Sequence, residues 1–315
     1  MSIDRVATNS QSQFLLSQIQ QAELSLDKTQ TQVTSGKVST TYSGIGDKTA
    51  MLEAARSASN RADAYQSATS LALNQADLQD SQMSSLSDLA NQLRQAVTTA
   101  VGNNDGSTLM TTVQGIFDQV SQILNSKDAN GNYLYGGDKN GQAPLTVSSL
   151  SDLASLASSS DAFQNGTIAN SVMVGDGQSI QVGMLASDVA GNIMQTFKEI
   201  ADFAAGPNGN FTDSLTSAQS SFLSGEVASA TTAAQQINNS AAANGNIYSQ
   251  LKDASANQTT MSNLFQGFVS NIEDVDMPTA ITQLNQNQVA LQAALQVTAQ
   301  LNNVSLLNYL GTSTG

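Results

Sequence analysis

The chain has 315 residues, of which 11% are charged and 5% aromatic, and it carries a formal charge of −14 from 25 acidic and 11 basic groups. It has neither cysteine nor histidine, which excludes disulfides, thiolate or histidine-dependent catalysis and Cys/His metal sites, and leaves a carboxylate pair as the remaining enzymatic route. Seven basic residues precede position 100 and none follows Lys252, so no stripe exists to neutralise phosphates or an anionic bilayer, and neither nucleic acid nor membrane is expected as a partner.

Gln, Asn, Ser, Thr and Ala hold the helix-surface positions that Lys and Glu usually occupy, a composition suited to faces covered by neighbouring copies. No N-terminal window joins a basic stretch to an apolar core, so a cleaved secretory signal is not expected. No window approaches the roughly 18 apolar residues of a membrane span.

In chain order, Leu15, Ile19, Ala22, Leu26, Thr29 and Val33 alternate four-three spacings and predict one helical seam ending near Ser35-Gly36. Gly36, Gly44 and Gly46 lie among Ser and Thr and predict a loop to Lys48. A longer seam follows: Ala58, Ala62, Tyr65, Thr69, Ala72, Ala76, Gln79, Met83, Leu86, Ala90, Leu93 and Val97. Small residues early and large ones late imply a close helix approach that widens along the seam. The run Gly102 to Gly106 ends this helix, and Leu109, Val113, Ile116, Phe117, Val120 and Ile123 predict the next, antiparallel to it.

The centre changes character. Asn130-Gly131 and Asp138 to Gly141 are turn signals around the strand-like Tyr133-Leu134-Tyr135, and Ser171 to Met184 predicts a hairpin turning at Gly175-Asp176-Gly177. Gly206 to Gly209 closes a helix after Phe203. Helical pattern returns past Phe211, where Gly245 and Gly267 argue against one continuous helix. Asp276-Met277-Pro278 marks a fresh start, because Asp caps well and Pro is tolerated in the first turn.

The last helix, about Thr279 to Leu310, has no charged neighbour anywhere from Met277 to Gly315. Its expected seam carries Ile281, Leu284, Leu291 and Leu295, with Gln288 and Thr298 between, while Leu306 and Leu307 widen the apolar surface. A lone helix of this kind is marginal in water, so it is expected to pair with the equally charge-poor N-terminal helix and with other copies. The expected organisation is residues 1–45 as an inner helix and loop, 46–127 and 188–275 as helical rod, 128–187 as a small β-containing outer domain, and 276–315 as the closing inner helix. Overall this is a mainly α fold, an elongated antiparallel coiled-coil bundle of the terminal segments with a β-containing insert.

Three motifs have plainer readings. Gly44 to Thr49 has the wrong spacing for a phosphate loop, and in Asp128 to Asn132, which opens like a calcium loop, Tyr133 stands where that loop needs Gly. Glu273, Asp274 and Asp276 read equally as part of a hinge, with Gly36 and Pro278, or as simple negative capping of the last helix. No catalytic, cofactor or metal residues are expected.

The ends resemble the bacterial flagellin superfamily. Leu24 to Lys37 is similar to the family's first helix and its Ser-Gly-Lys loop, and Ile272 to Asp276, Leu284, Gln288, Leu291 to Ala293 and Ser305 to Leu310 are similar to its C-terminal ending. The usual flagellin loop, Arg-Ile-Asn followed by Asp-Asp-Ala-Ala-Gly, is replaced by Lys37-Val38-Ser39 and Gly46 to Ala50. The usual final Pro-Gln segment is replaced by Asn303 to Leu307, so the likeness leans to the hook–filament junction branch, with a filament subunit as the alternative. The resemblance implies a non-enzymatic flagellar subunit, exported unfolded without a cleaved signal through the type III apparatus. It implies an extracellular location and contacts with itself, a hook-side junction protein, flagellin and an export chaperone on the C-terminal helix. Terminal segments that order on joining the tube would fit the missing charge.

Overall fold

Helix dominates because a small or apolar residue recurs every third or fourth position, and Gly and Pro fall at the intervals between these runs. This computed structural model describes the backbone of residues 3–311 and the side chains of residues 10–300. The elements are α1 (Ile3–Ser35), α2 (Tyr42–Ile45), α3 (Thr49–Asn103), α4 (Leu109–Leu124), α5 (Leu150–Ser155), β1 (Ser171–Gly175), β2 (Gln178–Gln181), α6 (Ala186–Ala205), α7 (Ser217–Glu273) and α8 (Met277–Gly311). They form two compact units, residues 1–60 with 261–315, and residues 61–260. The architecture is mainly α, with a small antiparallel sheet in the middle of the chain.

In the unit of residues 61–260, α3 and α7 run antiparallel. Gln66 donates to Thr259 Oγ1 (3.0 Å), Asn244 Nδ2 to the Ala76 carbonyl (2.8 Å), and Ser87 Oγ to Asn238 Oδ1 (2.8 Å), so positions rise on one helix as they fall on the other. The α3 seam is buried from Ala62 to Val97 except at the half-buried Tyr65. Its small residues Ala72 and Ala76 meet Leu251 of α7 and Val174 and Val182 of the hairpin segment, whereas Met83, Leu86, Leu93 and Val97 enter a larger core with α4, α6 and α7. The seam widens because two more helices enter there. Phe117 of α4 and Phe197 of α6, both fully buried, meet edge to face at 5.6 Å between ring centres, a favoured aromatic geometry.

Local chemistry sets the ends. Asn104 leaves α3 in the left-handed region (φ 52°), and the Asp105 amide returns to the Ala100 carbonyl, a closure that asparagine tolerates better than most residues. Thr216 and Gln219 cap the start of α7 reciprocally through each other's backbone amides. The buried Gln219 amide also donates to the Asn208 and Asn210 carbonyls, holding the loop between α6 and α7.

Two expectations are corrected. Tyr133 to Tyr135 is not a strand: Tyr133 forms an isolated β-bridge with Lys127 rather than a ladder, and Tyr135 is fully buried with its hydroxyl donating to Gln82 Oε1 at 2.8 Å. Asp128 Oδ1 accepts from the Asn130 and Asn132 amides, so its carboxylate closes a turn. And α7 is one continuous helix through Gly245 and Gly267. Both glycines are exposed with nothing near the Cβ position, so their intrinsic cost of about 1 kcal/mol each is outweighed by packing on the other face.

Candidate assembly surface

The remaining unit holds the terminal helices. The Val275 amide donates to the Gly36 carbonyl (2.9 Å), and Asn287 Nδ2 donates to the Ser25 carbonyl (3.2 Å) and Thr29 Oγ1 (3.3 Å). Along α8 the partners therefore move backward along α1, which makes the pair antiparallel.

On α1 the less exposed row is Leu15, Ile19, Ala22, Leu26, Thr29 and Val33, Thr29 being buried and the others half-buried. On α8 it is Ala280, Leu284, Asn287, Leu291, Ala294 and Thr298. Leu284 and Leu291 thus stand on the expected row, but Ile281 and Leu295 lie one position off it and are 45% and 49% exposed. The physical reason is Asn287. Its hydrogen bonds to α1 place it on the seam where Gln288 was expected, and a four-three repeat through Asn287 selects Ala280 and Ala294 in place of their larger neighbours. The side chains of Leu306 and Leu307 lie outside the described residues.

This seam is small, and much apolar surface stays outside it. Phe14 and Leu24 of α1 are 62% and 70% exposed, Val289 of α8 is 65% exposed, and Leu16 and Val297 are also open. These exposed apolar side chains on two adjoining helices make the pair the candidate interaction surface.

A clasp closes the end of the pair where the chain leaves α1 and enters α8. Gly36 ends α1 at φ 70°, a conformation open to glycine without strain. Beyond it the Lys37 backbone forms an isolated antiparallel β-bridge with Asp274, and the Val38 amide donates to the Glu273 carbonyl (2.7 Å). The buried Glu273 carboxylate accepts from Lys37 Nζ and from Arg56 of α3 (2.5 Å). Arg56 also reaches Glu53, which accepts from the Tyr42 hydroxyl. The Lys37 hydrogen bond, against desolvation and aided by Arg56, holds the Glu273 carboxyl below its ordinary value of 4.5. Asp276 precedes α8, its carbonyl accepting from the Ala280 amide and its carboxylate from the Thr279 hydroxyl (2.5 Å), and the Pro278 carbonyl accepts from the Thr282 hydroxyl. Of the acidic trio, Asp276 sits at the cap while Glu273 joins the ion network. That network pairs residues more than two hundred positions apart. The only trace of it in the sequence was the basic residue after Gly36 and the carboxylate group before α8.

Among the described residues no cluster of three acidic groups could hold a metal, and no helix is long and apolar enough to cross a membrane.

Two family models match the chain: the bacterial flagellin N-terminal helical region over residues 6–140 and the bacterial flagellin C-terminal helical region over residues 227–310. No curated protein matches it at the level of sequence. Among solved structures it is similar to a flagellar hook-associated protein from Vibrio parahaemolyticus, with 14% identity, a TM-score of 0.58, and coverage of 72% of this chain and 97% of that one. It is also similar to Bacillus cereus FlgL, with 13% identity, a TM-score of 0.52, and coverage of 69% and 98%. At these identities the likeness is one of fold.

Proposed function

Because the chain belongs to the bacterial flagellin family and is a structural protein of the flagellum, we propose that it is the subunit joining hook to filament. The observation that carries this reading is the paired α1 and α8, a charge-free closing helix on a thin seam with large apolar side chains left outside it. Such a pair is poorly stabilised alone and gains its missing contacts from identical or related helices in a tube. The junction assignment is favoured by Lys37-Val38-Ser39 and Gly46 to Ala50 in place of the flagellin loop pattern, and by the fold shared with a hook-associated protein and an FlgL.

On this reading the subunit leaves the cell unfolded through the type III channel, with a chaperone covering α8 until export. Outside, it meets the hook-side junction protein below and flagellin above, and its terminal helices complete their packing on joining them. Gly36, Asp276 and Pro278, at the exit of α1 and the entry of α8, serve as the hinge about which the pair adjusts to its neighbours.

A filament subunit is the second reading, since the matched family models are those of flagellin itself. Deleting the gene separates them. Loss of a junction subunit leaves hooks and releases unpolymerised flagellin into the medium, whereas loss of the cell's flagellin releases none. Antibody against this chain labels one band at the hook tip in the first case; labelling along the filament would overturn the junction assignment.

A further inference from the structure

Within the unit of residues 61–260, one pair of acidic side chains has no part in the terminal-helix pair. Glu226 of α7 is only 5% exposed, and its Oε2 is buried without a hydrogen-bond partner. Gln236 of α7 donates to the Asp188 carbonyl and accepts from the Asn192 amide of α6, an antiparallel register that carries Glu199 of α6 toward Glu226, and the Glu199 carboxyl is the one that acts on it. Glu199 is itself oriented: Gln195 Nε2 donates to its Oε1 at 2.6 Å, and Gln195 Oε1 accepts from Ser159 at 2.6 Å. Two ionised carboxylates cannot hydrogen-bond each other, because both are acceptors only. With one proton between them the orphaned oxygen becomes half of an O–H···O bond.

No neighbour supplies a counter-charge. Lys198, beside Glu199 in the chain, is committed to Asp202 and to the Leu153 and Ala154 carbonyls at the end of α5. No basic group of α3, α4 or α6 acts on Glu226, and the Ser229 hydroxyl of its own helix opposes the effect only weakly.

We propose that Glu199 and Glu226 share a proton and thereby form a pH-responsive lock between α6 and α7, closed in acid and loosened as the medium passes neutrality. Desolvation first, then the Glu199 charge and hydrogen bond, push the Glu226 carboxyl up to about 7 from its ordinary 4.5. The sign follows from linkage. A carboxyl that binds its proton more tightly when folded contributes fully below its unfolded value, and that contribution is lost as pH rises through the folded value. The two carboxylates then repel across a seam lined by Leu223 and Ala230, which are fully buried beside them on α7.

The test is thermal unfolding of the full chain, dilute and unassembled, followed by circular dichroism from pH 5 to pH 8.5. The unfolding equilibrium constant of the wild type is expected to rise on the order of 10- to 100-fold more over this range than that of Glu226→Gln. The melting temperature of the wild type therefore falls by about 3–10 °C relative to the variant. Glu199→Gln removes the same dependence from the other side, so one badly folded variant leaves the other decisive. A carbon-13 titration of the glutamate carboxyls adds a direct reading: one resonance moving near neutrality, absent in Glu226→Gln. Parallel pH profiles for wild type and both variants, with every glutamate titrating in the ordinary carboxylate range, would overturn the proposal.

Discussion

Glu273 concentrates the electrostatics of the terminal unit, since it is buried and carries its charge between Lys37 and Arg56. Glu273→Ala leaves Lys37 without its counter-ion and Arg56 with Glu53 alone. We expect a loss of about 2 kcal/mol, below the ~3–5 kcal/mol of a fully buried pair because both cations are partly exposed. Faster amide exchange at Val38 and Val275 checks it. Because this carboxyl is held below its ordinary value, the clasp is at full strength above that value. It weakens as the pH falls through the depressed one, so acid should lower the protection of the same two amides, relative to their intrinsic exchange rates, in wild type but not in the variant. Asn287 fixes register through Ser25 and Thr29. Asn287→Ala should cost the α1–α8 pair about 1 kcal/mol and slow assembly, while the melting of residues 61–260 stays unchanged.

At the scale of elements, α7 tolerates two glycines because its inward face carries it. Alanine at Gly245 or Gly267 meets open space, and each substitution should stabilise the monomer by about 0.5–1 kcal/mol. A rise in melting temperature of about 1–4 °C would register it. The opposite outcome is expected inside the core, where Phe197 packs edge-on against Phe117. Phe197→Ala should cost about 3–5 kcal/mol, visible as early loss of the α4–α6 packing in chemical denaturation. The hairpin is secured at two points: the Tyr65 hydroxyl donates to Asp176 Oδ1, and Gln258 Nε2 to the Val174 carbonyl. These bonds tie two short strands, which would be unstable alone, to α3 and α7.

For the molecule as a whole, the two units differ in what stabilises them. Residues 61–260 enclose an apolar core of fully buried Leu, Ile, Phe and Met, whereas the α1–α8 seam is built of half-buried Leu and Ile with Ala, Thr and Asn. Removing residues 277–315 should therefore leave the central unit folded and melting normally, yet abolish incorporation into the flagellum. In the free monomer, amides of residues 10–35 and 279–300 should exchange far faster than those of α4 and α6. Strong protection of both terminal segments before assembly would contradict coupled folding and assembly.

Helix positions, the hairpin, the breaks at Gly36, Gly102 to Gly106 and Gly206 to Gly209, and the charge-free final segment were legible in the order of residues alone. Periodicity, caps and turn chemistry are local and need no knowledge of partners. What waited for tertiary structure was every feature made by residues distant in the chain. The clasp of Lys37, Arg56 and Glu273, the displacement of the α8 seam onto Asn287, and the facing of Glu226 by Glu199 each depend on which helix faces which. So does the burial of Tyr135 where a strand was expected. Spacing along one helix states which residues share a face, but the residues opposite that face, and hence the burial and charge each one meets, are decided only by packing.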